Sequence, residues 1–152
     1  MKKILFLLTF ILSFAVAEQY TFLVQPYNKE IELEAKIISE IATSSVHEKV
    51  TLFIPHISDM EAKIYSQYFT LSPKCETANF VFVNKTIDNE TLCDNTNRLF
   101  FTNNYRKLLA DDKYYGALFW NKSRPNIVFI KKRLEKRAIV LPRTFDQFVE
   151  NF

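Results

Sequence analysis

The sequence predicts an α/β fold: a three-layer-like sandwich around a mostly parallel sheet that closes with a C-terminal antiparallel hairpin. Two observations predict it, and a third narrows the functions that this fold could have. Short apolar runs alternate with amphipathic helical segments through the first two thirds of the chain, as in helices packed on a parallel sheet. Two later strands are joined only by the polar residues 121–125, a spacing typical of a hairpin. The single glycine excludes the glycine-rich phosphate loops of common nucleotide-binding folds.

The elements follow in chain order. Residues 20–25 form an apolar run that stops at Pro26, which predicts a first strand. Residues 30–44 carry isoleucine and alanine at helical spacing and predict an amphipathic helix with an acidic first turn. Ser58 and Glu61 have the spacing of a capping box, which predicts a helix to about residue 69. The other predicted strands and helices cover residues 49–54, 79–83, 98–102, 105–110 (capped by Asn103 or Asn104), 115–120, 126–131, 132–136 and 143–150.

The N-terminal residues have the composition of a cleavable export signal. Lys2 and Lys3 precede the apolar residues 4–14, and an Ala-Val-Ala cleavage pattern follows. The apolar run is shorter than the roughly 20 residues of a membrane-spanning helix, and an uncleaved anchoring helix is the alternative. We expect a signal peptide over residues 1–17, cleaved after Ala17. The mature chain is then a single periplasmic domain over residues 18–152 with no transmembrane segment.

The chain contains two cysteines, Cys75 and Cys93. In the oxidising compartment that an exported chain enters, a disulfide is the default. It would close a loop of about 18 residues and stabilise the fold by about 3 kcal/mol. The alternative, a metal pair, lacks further ligands, because His47 and His56 are isolated and no C-x-x-C or H-x-x-H spacing occurs. We therefore expect a structural disulfide, no bound metal and no cofactor.

Charge is distributed unevenly along the chain. Residues 18–97 contain twelve acidic and six basic side chains, whereas residues 98–152 contain twelve basic and five acidic ones. The strongest local signal is a basic tract after the last hairpin strand, made of Lys131, Lys132, Arg133, Lys136 and Arg137. Arg124 and Arg143 are basic residues on either side of it. Nucleic acid is a poor partner for an exported protein, so we expect an acidic protein, anionic lipid head groups or an anionic ligand. A solvated helix face, with opposite charges paired within the fold, is the alternative.

His56 and Trp120 are candidates for a ligand pocket. Trp120 ends a strand beside the basic hairpin turn, and His56 follows a buried strand after Pro55. Ligands of parallel sheets bind at the carboxyl ends of the strands, here near His56, Asn84 and residues 102–103. Core-edge packing of the tryptophan and a partly solvated strand-end histidine are the alternatives.

Candidate catalytic groups are weak. Asp111 and Asp112 are adjacent carboxylates, but neighbouring residues at a helix end point in different directions and no second catalytic partner is apparent. No G-x-S-x-G motif occurs, and the disulfide would leave no free thiolate. We expect that the protein is not an enzyme.

Residues 116–130 read GALFWNKSRPNIVFI, followed by Arg133, Leu134, Ile139 and a helix after Pro142. This order of strand, short basic turn, strand and closing helix resembles the end of the YfiR-like periplasmic regulator family, over about the last half of the chain. The turn lacks the glycine often found there, Lys131 and Lys132 stand where the family pattern has asparagine, and only one disulfide is possible. The resemblance implies a non-enzymatic regulator that binds the outer part of an inner-membrane signalling protein, such as a diguanylate cyclase or sensor kinase.

Two functions follow as expectations. The first is a regulatory or binding protein that acts through protein contacts, with a homodimer as an option, and uses the basic C-terminal surface and the edge of the closing hairpin. The second is a small-molecule-binding protein similar to a reduced transporter substrate-binding component, with a pocket at the carboxyl ends of the parallel strands.

Overall fold

The computed structural model describes residues 21–84, 93 and 97–152, with side chains from residue 29 onward. The expected signal peptide, residues 1–17, and most of the predicted loop over 84–97 lie outside these residues. The elements in chain order are α1 (Thr21–Ser45), β1 (Thr51–Phe53), α2 (Asp59–Tyr65), β2 (Thr70–Leu71), a 3₁₀ turn (Cys75–Thr77), β3 (Phe80–Val83), β4 (Leu99–Thr102), α3 (Tyr105–Ala110), β5 (Tyr114–Asn121), β6 (Arg124–Ile130), α4 (Lys131–Lys136), a second 3₁₀ turn (Arg143–Phe148) and β7 (Val149–Glu150).

The strands of the described residues form one seven-stranded sheet in the order β2-β1-β3-β4-β5-β6-β7. The first five run parallel to one another, β6 pairs antiparallel with β5, and β7 pairs parallel with β6. The predicted α/β fold with a mostly parallel sheet and a C-terminal antiparallel hairpin is confirmed. Because β1 lies between β2 and β3, the strand order reverses at β1, and the carboxyl ends of strands at such a position are where ligands of parallel sheets generally bind.

Helices and turns cover both faces of the sheet. On one face, apolar residues of α1 and α2 pack on the inward side chains of the strands, including Phe80, Phe82 and Phe101. On the other face, Leu108 of α3 and the disulfide region pack on Val81 and Val83. Successive side chains of β3 therefore point to opposite layers, and all four are buried.

The first predicted strand is wrong, because residues 21–25 belong to α1. A short apolar run does not distinguish a strand from a helix by itself. Here helix α1 extends back to Thr21 through Pro26, which removes one main-chain donor without ending the helix. The acidic residues expected in the first helical turn lie in the interior of the helix for the same reason.

Two further elements differ from the prediction. Helix α2 has the predicted capping box but ends at Tyr65 instead of about residue 69, and a short strand that was not predicted, β2, begins at Thr70. The predicted last helix is a 3₁₀ turn that leads into β7, because residues 149–150 pair with the end of β6. Asn104 caps α3, as one of the two predicted options.

The β5–β6 hairpin is tight. Asn121 pairs with Arg124 and Trp120 with Pro125, which leaves a two-residue turn. Both turn residues, Lys122 and Ser123, have positive φ angles of 48° and 60°, as a type I′ turn requires. Neither is glycine or asparagine, so each left-handed residue costs about 1–2 kcal/mol.

Candidate functional site

Two residues of the basic tract, Arg133 and Arg137, bind the protein's own main chain. Arg133 Nη1 donates at 2.6, 3.0 and 2.7 Å to three carbonyl oxygens, those of Leu108, Asp111 and Tyr114. Arg137 donates at 3.3 and 2.9 Å to two more, those of Arg98 and Lys113. These carbonyls border the amino ends of β4 and β5, so the two guanidinium groups hold α4 against the sheet.

The remaining members of the tract form an exposed set, Lys131, Lys132 and Lys136, which we call the lysine group. Lys136 Nζ lies 3.5 Å from Asp112 Oδ2, and both side chains are more than 70 % exposed, so this ion pair contributes little. Within the described part of the chain, no carboxylate lies within 4 Å of Lys131 or Lys132. Burial lowers the pKa of the neighbouring Arg133, and Asp112 and Asp111 oppose that shift.

The uneven charge of the sequence is not neutralised by ion pairs between described residues. The two such pairs, Lys113 with Asp111 and Lys136 with Asp112, both join residues of the basic C-terminal part. Pairing of the acidic N-terminal part with the basic C-terminal part, the alternative weighed from the sequence, is therefore not found among the described side chains.

Arg124 does not lie with the lysine group. It begins β6, whereas Lys131 follows the last residue of that strand, Ile130. A strand of seven residues spans about 20 Å. The predicted basic residues therefore form two surfaces at opposite ends of β6.

Trp120 binds a carboxylate of α1. Its Nε1 donates to Glu34 Oε2 over 3.4 Å, and the Tyr65 hydroxyl donates to Glu34 Oε1 over 2.7 Å. Burial raises the pKa of Glu34, the two hydrogen bonds lower it, and the nearby Glu61 raises it. Burial also raises the pKa of Tyr65, so its hydroxyl stays a donor. Trp120 thus ties the end of β5 to α1, and Tyr65 ties α2 to the same carboxylate. The role of Trp120 in ligand binding stays a prediction.

His56 lies in the turn that follows β1, exposed and with a φ of 52°. The buried Glu61 of the capping box accepts hydrogen bonds from the amide and hydroxyl of Ser58 at 2.8 and 2.6 Å. Asn84 Nδ2, just after β3, lies 3.5 Å from Glu61 Oε1. Asn84 Oδ1 is buried and has no hydrogen-bond partner among the described atoms. Helix α2 and the carboxyl end of β3 are therefore linked through a carboxylate and an amide, and a ligand pocket at this edge of the sheet stays a prediction.

Sequence reasoning missed Glu34 and Glu61. Both had a signal. Glu34 stands three residues after Ile31 and four before Ile38, on the apolar stripe of α1, where a charged residue is unexpected. Glu61 was recognised only as the second half of a capping box, although that position also faces the neighbouring strand end.

The expected disulfide joins Cys75 to Cys93, with their Cα atoms 5.8 Å apart. Cys75 is buried in the 3₁₀ turn before β3. Arg98, at the start of β4, donates to the carbonyls of Ala78 and Glu76 beside it. The disulfide and this arginine fix the same corner of the fold, where they serve structure.

The sheet order and the helical cover on both faces define an α/β protein with a mostly parallel sheet. No protein-family model matches the chain, and no curated protein or solved structure does either. Within residues 21–84, 93 and 97–152, no three histidine, cysteine, aspartate or glutamate side chains are grouped to hold a metal ion. No helix of these residues combines the length and apolar character needed to cross a membrane.

Proposed function

We propose that this protein is a non-enzymatic periplasmic binding protein that contacts an acidic surface of an inner-membrane signalling protein through the lysine group. The observation that carries the proposal is the charge of this group. Lys131 and Lys132 are exposed and have no carboxylate within 4 Å in the described part of the chain. Complementary charge on a partner would speed association and fix its orientation.

The surroundings of the lysine group suit a protein partner. Strand β7 runs parallel to β6 and pairs Glu150 with Ile130, so the last residues leave the sheet at the end where Lys131 begins. The last side chain, Phe152, is 51 % exposed. Exposed aromatic residues are enriched in protein interfaces.

The arginines are unsuitable for the test, because reversing Arg133 or Arg137 would leave buried carbonyls without donors and destabilise α4. The test variant is therefore Lys131→Glu, Lys132→Glu and Lys136→Glu together. A matched control reverses the same number of exposed lysines elsewhere, Lys49, Lys63 and Lys74.

Binding is measured by calorimetry against the purified periplasmic domain of a diguanylate cyclase or sensor kinase from the same cell. The lysine-group variant is expected to bind at least about tenfold more weakly, a loss of about 1.4 kcal/mol, and the control variant to bind like the original. Affinity should also fall with added salt. Equal losses in both variants, or none in either, would contradict the proposal.

A second function, small-molecule binding, is supported by Asn84, which follows the carboxyl end of β3. The buried Asn84 Oδ1 has no hydrogen-bond partner among the described atoms, and an unpaired buried acceptor costs about 1–3 kcal/mol unless something donates to it. A ligand would raise the melting temperature of the protein, and Asn84→Leu would remove that rise. A flat response across amino acids, anions and sugars would count against this function.

A further inference from the structure

The β5–β6 hairpin carries a polar depression at the opposite end of β6 from the lysine group. Asn121 and Arg124 pair directly across the two strands, and Asn126 follows Arg124 by two residues, so these three side chains share one face. Lys122 is the first residue of the turn. These four residues, which we call the hairpin cradle, line an open cavity of about 480 Å³.

The hairpin cradle is rich in hydrogen-bond donors and positive charge. It contains one guanidinium, one ammonium and two amide groups, and no carboxylate is among its lining residues. Neither Lys122 nor Arg124 has an ion pair with any side chain that the structure describes. The Asn126 amide is fixed, because its Nδ2 donates to the carbonyl oxygen of Arg124 over 3.0 Å.

The backbone of the turn holds these donors in place. Lys122 and Ser123 both lie in the left-handed region, which favours glycine or asparagine. A lysine nevertheless occupies the position that borders the cavity. The ammonium group of Lys122, which a glycine at this position would not supply, is one of the two positive charges of the hairpin cradle.

We propose that the hairpin cradle binds a phosphate group, with the Arg124 guanidinium as a two-pronged donor and Lys122 as a second cation. Arginine suits tetrahedral oxyanions because its paired N–H groups match two oxygens at once. The open cavity leaves room for the rest of a larger molecule, so the phosphate can belong to free phosphate or to a lipid head group. This site is separate from the partner contact proposed above and does not depend on it.

Inorganic phosphate titrated into the ¹⁵N-labelled protein tests the proposal. We expect saturable chemical-shift changes at the main-chain amides of Lys122 and Asn126, and none at Lys131 or Lys132. Lys122→Glu with Arg124→Glu should weaken phosphate binding at least about tenfold. The matched control, Lys131→Glu with Lys132→Glu, makes the same change of charge at the other end of β6 and should keep the original affinity.

A second arm identifies the source of the phosphate. Vesicles of phosphatidylglycerol that retain the protein, and lose it with the hairpin variant, assign the site to lipid head groups; phosphate binding without retention by vesicles assigns it to free phosphate. Three results would overturn the proposal: shifts that stay linear with phosphate, shifts that sodium chloride reproduces at equal ionic strength, or unchanged affinity in the hairpin variant. The mutated side chains are exposed, and circular dichroism checks that the fold is kept.

Discussion

Replacement of Gly116 by alanine should destabilise the fold. A Cβ atom at this position would lie 2.5 Å from Phe101 Cε2, 2.8 Å from Phe129 Cδ1 and 2.8 Å from the carbonyl oxygen of Val128. Ordinary carbon contacts are about 3.5–4.0 Å. Neither ring can swing away freely, because Phe101, Phe129 and Tyr115 are fully buried and pack on one another with centroids 5.4–6.1 Å apart.

The steric cost should exceed the gain from removing glycine. Overpacking of this kind costs about 3 kcal/mol at the upper end of its usual range, whereas alanine in a strand gains about 0.5–1 kcal/mol over glycine. We expect a net loss of about 2 kcal/mol in the free energy of unfolding. For a chain of this length the melting temperature should fall by about 4–8 °C.

Urea unfolding followed by tryptophan fluorescence measures this loss, because Trp120 is the only tryptophan in the sequence. The double variant Gly116→Ala with Phe129→Leu separates the contacts. It should be less destabilised than the sum of the two single variants, because the smaller side chain removes one of the three clashes and leaves those with Phe101 and with the main chain of Val128. A single variant as stable as the original protein would refute the steric argument.

Three further results are expected. Burial raises the pKa of Glu34, so the folded state holds this proton to higher pH than the unfolded chain; the stability it contributes is greatest in acid and is lost as pH rises through the folded pKa. Glu34→Gln should flatten that part of the stability curve, measured by urea unfolding between about pH 4 and pH 8, and an unchanged curve would contradict the assignment. Replacing Cys75 and Cys93 by serine should cost about 3 kcal/mol, since the loop they close spans 18 residues, and calorimetry under non-reducing conditions should show it. Ser123→Gly should stabilise the protein by about 0.5–1 kcal/mol by relieving a left-handed residue, and a lower melting temperature would contradict this.

The parts of the fold that sequence predicted well have local causes. The capping box at Ser58 and Glu61 forms within one turn of helix, and it appears as predicted. The hairpin was placed by its polar turn, and the buried strand at Phe80 by its continuous apolar run. Each signal is complete within about ten residues, so distant contacts were not needed to interpret it.

The errors have non-local causes. Residues 149–150 form a strand because they pair with the edge of β6. No pattern within residues 143–150 indicates this pairing. In the candidate site, the sequence shows which side chains of the basic tract are charged but not where they point. Arg133 points inward because carbonyl oxygens of other elements accept its hydrogen bonds. A side chain's direction depends on the neighbours that the fold supplies, which a single sequence does not show.

Pro125 has a consequence for association between molecules. Strand β7 covers only the last two residues of β6, Phe129 and Ile130, so among the described strands the outer side of the earlier residues has no neighbour. Ladder positions alternate from the pair that closes the turn, Asn121 with Arg124, and the nitrogen of Pro125 therefore faces this open side. Without an N–H group there, a strand from another copy finds one donor fewer along this open edge. Pro125 thus weakens edge-to-edge pairing at the hairpin end of β6.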